Sequence, residues 1–175
     1  MNNVRFKFGL NWREYSKYID TNKINDSVKG LKKLLPTNLD IENKSFLDIG
    51  CGSGLHSISA KKIGFKTVTS TDYDIISVQT AISNFKKYDV KIEILKDDIL
   101  NSKIKSKFDV VYSWGVLHHT GNMKKAIKES KKLVAKKGLF IIAIYRKTLF
   151  CKHWEKIKFF YCKSNFIIKF VMESF

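Results

Sequence analysis

The chain has 175 residues, enough for one domain with a single core, and its 44% hydrophobic and 13% aromatic content excludes general disorder. Its formal net charge of +17 results from 30 lysines and three arginines against 16 acidic residues. The lysines are spread along the chain. We therefore expect solvated lysines and no specific nucleic-acid surface, because base and phosphate recognition favours the arginine fork.

The predicted elements alternate between helices and short apolar strands. A first helix has apolar residues at helical spacing, from Ile24 to Leu35, and stops at Pro36, the only proline. The patterns that follow predict, in chain order, a strand over 45–49, a helix over 55–63, a strand over 66–71, a helix with its apolar face at 78, 81, 82 and 85, strands over 90–95 and 108–113, a helix from 123 to 134 that Gly138 ends, and a strand over 139–145.

Strands that alternate with helices predict an α/β fold, Rossmann-like and doubly wound, with five strands in a mostly parallel sheet and helices on both faces. Ligands of such sheets bind at the carboxyl ends of the strands, where the strand order reverses. We divide the chain into a helical leader over 1–40, the sheet domain over 41–146 and a helical tail over 147–175.

A glycine-rich turn follows the first strand, in the sequence Asp48-Ile49-Gly50-Cys51-Gly52-Ser53-Gly54. Glycine is needed where the backbone takes positive φ or where a ligand approaches it closely. Leu55 stands where the dinucleotide fingerprint has its third glycine, so the pattern is not that of a nicotinamide site.

An acidic residue ends the second strand, 18 residues after Gly54. A carboxylate at this position, that of Asp72, can accept hydrogen bonds from both ribose hydroxyls of an adenosine. The next residue, Tyr73, can cover one face of the adenine.

The glycine-rich turn, Asp72 and a segment from Phe108 to Thr120 (FDVVYSWGVLHHT) together resemble the class I S-adenosylmethionine-dependent methyltransferases, in the branch likened to ubiquinone-pathway methylases. The resemblance implies S-adenosylmethionine as cofactor and a small-molecule methyl acceptor. It implies cofactor-binding roles for Asp48, Gly50, Cys51, Gly52, Gly54, Asp72, Tyr73, Asp98, Ile99, Ser113 and Trp114.

Within that set, Asp98 is chosen over Asp97 by family alignment as the acid near the adenine amino group, and Ser113 and Trp114 are expected to border the methionine part of the cofactor. The resemblance also places His118 or His119 near the acceptor, where neutral imidazole suits a general base. Alternatively, either histidine fixes the turn or packs in the wall.

At the N-terminus, FKFGLNWREY is similar to a leader of the same branch, in which Trp12 and Tyr15 would lie on a cap over the active site. The alternative is that both residues pack on the core. The family core continues beyond the fifth strand into a β-hairpin, whereas only thirty residues follow Tyr145, so we expect a C-terminally short protein.

Two other classes remain open: a non-catalytic cofactor-binding module and, less favoured, a nicotinamide oxidoreductase. A single proline excludes the Asn/Asp-Pro-Pro-aromatic and Pro-Cys motifs of several nucleic-acid and amide methylases. Three irregularly spaced cysteines and no apolar export segment predict a reduced, cytoplasmic protein without a metal site. The basic, amphipathic tail leaves a peripheral membrane contact as a possible partner interaction.

Overall fold

The computed structural model describes residues 8–145. The regular elements are α1 (Gly9–Ser16), α2 (Thr21–Leu34), β1 (Ser45–Ile49), α3 (Leu55–Ile63), β2 (Thr67–Asp72), α4 (Ile75–Lys87), β3 (Glu93–Lys96), β4 (Phe108–Trp114), α5 (Met123–Lys132) and β5 (Val134–Ala143). Short 3-10 turns at Ile99–Asn101 and Leu117–His119 connect the later strands.

Five parallel strands form one sheet in the order β3-β2-β1-β4-β5. Leu47 of β1 pairs with Thr69 on one side and with Val111 on the other, so β1 is the central strand. Strand order reverses between β1 and β4, which creates a crevice at their carboxyl ends. The predicted α/β doubly wound fold is confirmed.

Both faces of the sheet are covered, which explains the nearly continuous apolar strands. On one face, Phe46 and Val110 pack with Leu31 of α2 in one core cluster. On the other, Leu47 and Val111 belong to a cluster with α5 residues. Helices α2, α3 and α4 share a third cluster.

Two predicted boundaries were wrong. The third strand begins at Glu93 instead of residue 90. Helix α5 ends at Lys132, and β5 begins at Val134, well before Gly138. The carbonyl of Leu133 accepts a hydrogen bond from the Phe108 N–H at 2.8 Å, which draws the chain into the sheet directly after the helix.

Residues 8–144 belong to one compact unit, and Tyr145 belongs to a second one. The predicted helical tail lies outside the described residues, and the peripheral membrane contact stays a prediction. Between residues 8 and 145, no helix is long and apolar enough to span a bilayer.

Candidate functional site

The glycine-rich loop joins β1 to α3 at the carboxyl edge of the sheet. Its three glycines have φ of 74°, 56° and 78°, in the left-handed region that favours glycine. The Gly50 and Cys51 N–H groups donate to the Thr71 carbonyl at 2.8 and 2.9 Å, so the loop is fastened to the end of β2. A Cβ on Gly50 would lie 2.4 Å from the Val116 Cγ1 atom. The loop that follows β4 therefore also packs closely against the glycine-rich loop.

Asp72 holds the same loop from the end of β2. Its Oδ2 atom accepts a hydrogen bond from the Gly52 N–H at 3.0 Å, and its Oδ1 atom accepts one from the Asp74 N–H at 2.8 Å. Burial raises the pKa of Asp72, although the two backbone hydrogen bonds partly offset that rise. Each oxygen keeps acceptor capacity, because a carboxylate offers about four lone-pair sites.

Asp48 lies beneath the loop instead of in the cleft. Its side chain is 2% exposed and accepts a hydrogen bond from the Ser57 hydroxyl at 2.6 Å. Burial raises the pKa of Asp48 to about 7, against the lowering effect of that hydrogen bond. Asp48 therefore ties the end of β1 to α3 inside the fold.

Helix α1 covers the loop from the solvent side. The Trp12 indole lies against Gly52, where a Cβ would come within 2.5 Å of the Cε2 atom. The Gly9 N–H donates to the Asp74 Oδ2 atom at 3.0 Å, which ties α1 to the start of α4. Tyr15 packs its ring edge against Trp12, with centroids 5.8 Å apart.

These elements enclose a cavity of about 100 Å³. Its wall is formed by the glycine-rich loop, the segments at the ends of β2 and β3, the loop that follows β4, and α1. The lining residues are Phe8, Trp12, Ile49, Gly50, Thr71, Asp72, Tyr73, Asp74, Ser77, Asp97, Ile99, Gly115, Val116, His119 and Thr120.

Among the two candidate adenine acids, Asp97 lines this cavity and its Oδ1 atom accepts from the Lys103 N–H at 3.0 Å. Asp98 is half-buried and caps the following 3-10 turn, with its Oδ1 atom 2.9 Å from the Leu100 nitrogen. Both carboxylates thus stabilise the connection after β3.

The two candidate catalytic histidines differ in position. His119 lines the cavity and contacts Phe8 of the cap, with ring centroids 5.1 Å apart. The His118 ring lies behind it at 4.0 Å, and burial lowers the pKa of His118. Of the pair, His119 is the one exposed to a ligand in the cleft.

Three other predicted cofactor residues are not among those that line the cavity. Cys51 contributes its side chain to the core shared by α2, α3 and α4. The buried Ser113 hydroxyl donates to the Ile49 carbonyl at 2.9 Å and so ties β4 to β1. Trp114 stacks on Tyr112, with centroids 5.9 Å and planes 8° apart.

Several wall residues were not predicted from the sequence. Asp74 is the N-cap of α4, and its side chain accepts from the Ile76 N–H, a signal that the sequence carries. Phe8 and Val116 reach the cavity through tertiary contacts, which no local pattern encodes. Within residues 8–145, the structure shows no cluster of three or more metal-ligating side chains.

Known proteins share this architecture. A family model described as "Methyltransferase domain" matches residues 18–161. The chain is 33% identical over 133 residues to a ubiquinone biosynthesis O-methyltransferase of Pelagibacter ubique, covering 76% of this chain and 53% of that protein. It is 32% identical over 144 residues to a ribosomal protein L11 methyltransferase of Thermosipho africanus, covering 78% of this chain and 51% of that protein. The chain thus spans about half the length of these curated relatives.

Among solved structures, an S-adenosyl-L-methionine-dependent methyltransferase of Methanococcus maripaludis, itself described as putative, has the same fold. Its TM-score is 0.67 at 18% sequence identity, and the match covers 93% of this chain and 76% of that one. Because the family model spans most of the chain and the relatives agree with it, the protein belongs to the class I S-adenosylmethionine-dependent methyltransferase family.

Proposed function

We propose that the protein transfers the methyl group of S-adenosylmethionine to a small-molecule acceptor. The observation that carries this proposal is the position of Asp72 at the carboxyl edge of β2, where its Oδ2 atom accepts from Gly52 of the glycine-rich loop and its Oδ1 atom accepts from the Asp74 N–H. This is where an adenosine ribose would present two hydroxyl donors to one carboxylate.

The described residues fit such a cofactor. Asp72 would hold the ribose, Tyr73 beside it would cover the adenine, and the glycine-rich loop would lie along the amino-acid part. Trp12 of α1 would exclude water from above the loop, where it already contacts Gly52. Bound there, the cofactor supplies a methyl group activated by positive sulfur, so the protein mainly aligns the partners.

His119 is the proposed general base, since it lines the cavity and contacts the α1 cap through Phe8. In that role its imidazole would take a proton from an acceptor hydroxyl or amine as the methyl group is transferred. His118, which is half-buried beside it, would hold the position of the His119 ring by packing.

The small-molecule acceptor is supported by the similarity to a ubiquinone biosynthesis O-methyltransferase. The similarity to ribosomal protein L11 methyltransferases supports a second candidate, transfer to a protein. The methyl group would go to an oxygen atom of a small molecule in the first case and to a protein in the second.

Incubation of the full chain with methyl-labelled S-adenosylmethionine and a fractionated cell extract tests the proposal. We expect label in a small-molecule fraction; label in protein would favour the second candidate, and no label anywhere would contradict methyl transfer. Calorimetry with S-adenosylhomocysteine and NAD tests the cleft separately, and equal or tighter binding of NAD would refute the cofactor assignment.

A further inference from the structure

Positive charge is unevenly distributed over the described residues. Two segments, 101–107 and 122–138, together carry ten lysines and a single acidic residue, Glu129. The rest of the described chain carries 14 basic and 13 acidic residues, so it is almost neutral. The spread of lysines along the sequence therefore becomes a concentration on part of the folded surface.

The two segments lie side by side in the fold. Lys125 on α5 donates from its Nζ atom to Asn101 Oδ1 at 3.2 Å, and Lys107 Nζ donates to the Lys132 carbonyl. Ile104 of the first segment and Ala126 of the second pack in the same core cluster. We call this surface the lysine face, and its lysines are Lys103, Lys105, Lys107, Lys124, Lys125, Lys128, Lys131, Lys132, Lys136 and Lys137.

All ten lysines are exposed. On α5 they occupy the side opposite the buried Ala126 and Ser130, so the core side of the helix directs them outward. Among ion pairs between described residues, only the one between Lys132 and Glu129, at 2.8 Å, belongs to this face. The helix therefore presents a row of cationic groups that repel one another.

The acids next to the face do not neutralise it. Asp97 and Asp98 cap the connection after β3 by accepting backbone N–H bonds. Asp109 is bound at the other side of β4 by Ser45 and Lys44. These carboxylates are engaged within the fold.

We propose that the lysine face binds the phosphate backbone of RNA without sequence preference. A dense row of lysines gains affinity by releasing the counterions of a polyanion, and no arginine lies on the face to read base edges. An anionic membrane fits less well, because membrane-surface helices place large apolar side chains beside their lysines, and the exposed side of α5 offers only Met123.

The face also borders the candidate active site. Its two segments begin close to cavity-lining residues: Lys103 is four residues after Ile99, and Lys124 is four residues after Thr120. RNA bound there would lie beside the cleft. RNA binding of this kind needs no cofactor and is therefore independent of the proposed methyl transfer.

Matched triple variants of the full chain test the proposal. Lys124→Gln, Lys128→Gln and Lys131→Gln remove three charges from the lysine face, while Lys23→Gln, Lys32→Gln and Lys33→Gln remove three exposed charges from α2. The probe is a fluorescein-labelled 20-nucleotide uridine RNA, measured by anisotropy from 50 to 200 mM salt. Thermal melting verifies that both variants are folded.

We expect the lysine-face variant to bind about tenfold or more weakly at 50 mM salt, with a slope of log affinity against log salt reduced by about 2, since each phosphate contact on a single strand contributes about 0.7. The α2 variant should change by less than threefold. Equal losses in both variants, or no loss in either, would overturn the proposal.

Two further measurements sharpen the test. If the α5 variant fails to fold, Lys103→Gln, Lys105→Gln and Lys107→Gln in the loop segment should give the same loss, and unchanged binding would count against the face. Vesicles containing phosphatidylserine are the other probe: vesicle binding that needs the face, together with RNA binding that does not, would overturn the proposal in favour of a membrane.

Discussion

Three aspartates near the glycine-rich loop have different tasks, although they share one residue type. Asp48 is buried under the loop and bonded to Ser57. Asp72 faces the cavity and fastens the loop, while Asp74 caps α4 and holds α1 through Gly9. Position relative to the strand ends, not residue type, decides which carboxylate is available to a ligand.

Replacing Asp72 should weaken cofactor binding selectively. We expect Asp72→Ala to reduce the affinity for S-adenosylhomocysteine by about 1.5–3 kcal/mol, roughly 10- to 150-fold, because a charged acceptor of ribose hydroxyls is lost. Calorimetry measures it. Asp26→Ala is the control, since that exposed carboxylate lies on α2 and pairs with Lys29. An unchanged affinity of the Asp72 variant would mean that the ribose binds elsewhere.

Variants of the two histidines should differ in their methyl-transfer rates. His119→Ala is expected to lower the methyl-transfer rate by about 10²–10⁴-fold while leaving S-adenosylhomocysteine binding within a few-fold, because a positioned general base contributes that much to the chemical step. His118→Ala should mainly lower the thermal midpoint, since its ring is packed behind the wall. An equal loss of methyl-transfer rate in both variants would contradict the assignment of His119, and not His118, as the general base.

The site residues that belong to a local sequence motif could be predicted. The site residues that reach the cavity only through tertiary contacts could not. The loop glycines and Asp72 follow strand ends at regular spacing, and the structure gathers them at one edge. Phe8 lines the same cavity from far along the chain, and the bond between Gly9 and Asp74 spans 65 residues. Sequence periodicity cannot predict a contact between residues so far apart in the chain.

Among the described helices, α1 is the one that covers the glycine-rich loop and borders the cleft. It is a short helix anchored by one hydrogen bond to Asp74 and by the Trp12 indole on Gly52. Because Phe8 and Trp12 line the cavity, α1 borders the route by which a cofactor would enter and leave it.

Trp12→Ala should therefore speed the exchange of cofactor. We expect both association and dissociation of S-adenosylhomocysteine to become faster, because the loop loses its cover, and surface plasmon resonance measures both rates. The control is Tyr18→Ala, which alters a 68% exposed ring just after α1. Unchanged rates in the Trp12 variant would show that α1 does not limit entry.

At the opposite end of the sheet, a polar cluster joins β1 to β4. The Asp109 carboxylate accepts hydrogen bonds from the Ser45 N–H and hydroxyl, at 2.9 and 2.8 Å, and from Lys44 at 3.2 Å. Burial raises the pKa of Asp109, but these hydrogen bonds lower it more, so the folded value lies below the usual one.

Asp109→Ala should cost about 1–2 kcal/mol of unfolding free energy at pH 7, as expected for a half-exposed carboxylate with several hydrogen bonds. Because the folded pKa is lowered, this stabilisation is present above about pH 4, the unfolded value, and is lost as the pH falls through the folded pKa. Urea unfolding at pH 7 and pH 3 measures both. A difference that persists undiminished at low pH would contradict the electrostatic origin.

Element boundaries were the weaker part of the sequence prediction. Leu133 and Val134 continue the apolar spacing of α5, so periodicity alone extends the helix to them. In the fold, the Leu133 carbonyl bonds to Phe108 and Val134 pairs with the same residue in the sheet. Strand pairing outweighs helical periodicity there, and a sequence without its partner strand cannot show this.

At the scale of the whole molecule, the sequence predicted the architecture but not the distribution of charge. Alternating elements and crossover handedness determine a five-stranded parallel sheet, which the structure has. The net charge looks dispersed along the chain, yet folding brings ten lysines onto one face, because the β3–β4 connection packs beside α5. Adjacency of that kind arises only in three dimensions.

The stability of the whole molecule should depend on pH through Asp48. Burial raises the pKa of this carboxyl to about 7, well above the unfolded value of about 3.9. A raised folded pKa contributes stability that is fully present below about pH 4 and is lost as the pH rises through about 7. We therefore expect the unfolding free energy of the cofactor-free protein to carry a contribution that falls across this window.

Asp48→Asn should remove that contribution, because an amide keeps an acceptor for the Ser57 hydroxyl and carries no charge. The variant should be more stable than the wild type at pH 8 by up to ~4 kcal/mol, from about 1.4 kcal/mol per pKa unit, and should differ little at pH 4. Urea unfolding at both pH values measures this. The comparison variant is Ser57→Ala, which retains the buried carboxyl but loses the hydrogen bond that lowers its pKa, so its stability should depend on pH at least as strongly as that of the wild type. If the stability of Asp48→Asn has the same slope against pH as that of the wild type, the Asp48 carboxyl ionises in the folded protein at its ordinary pKa, and its burial has no electrostatic cost.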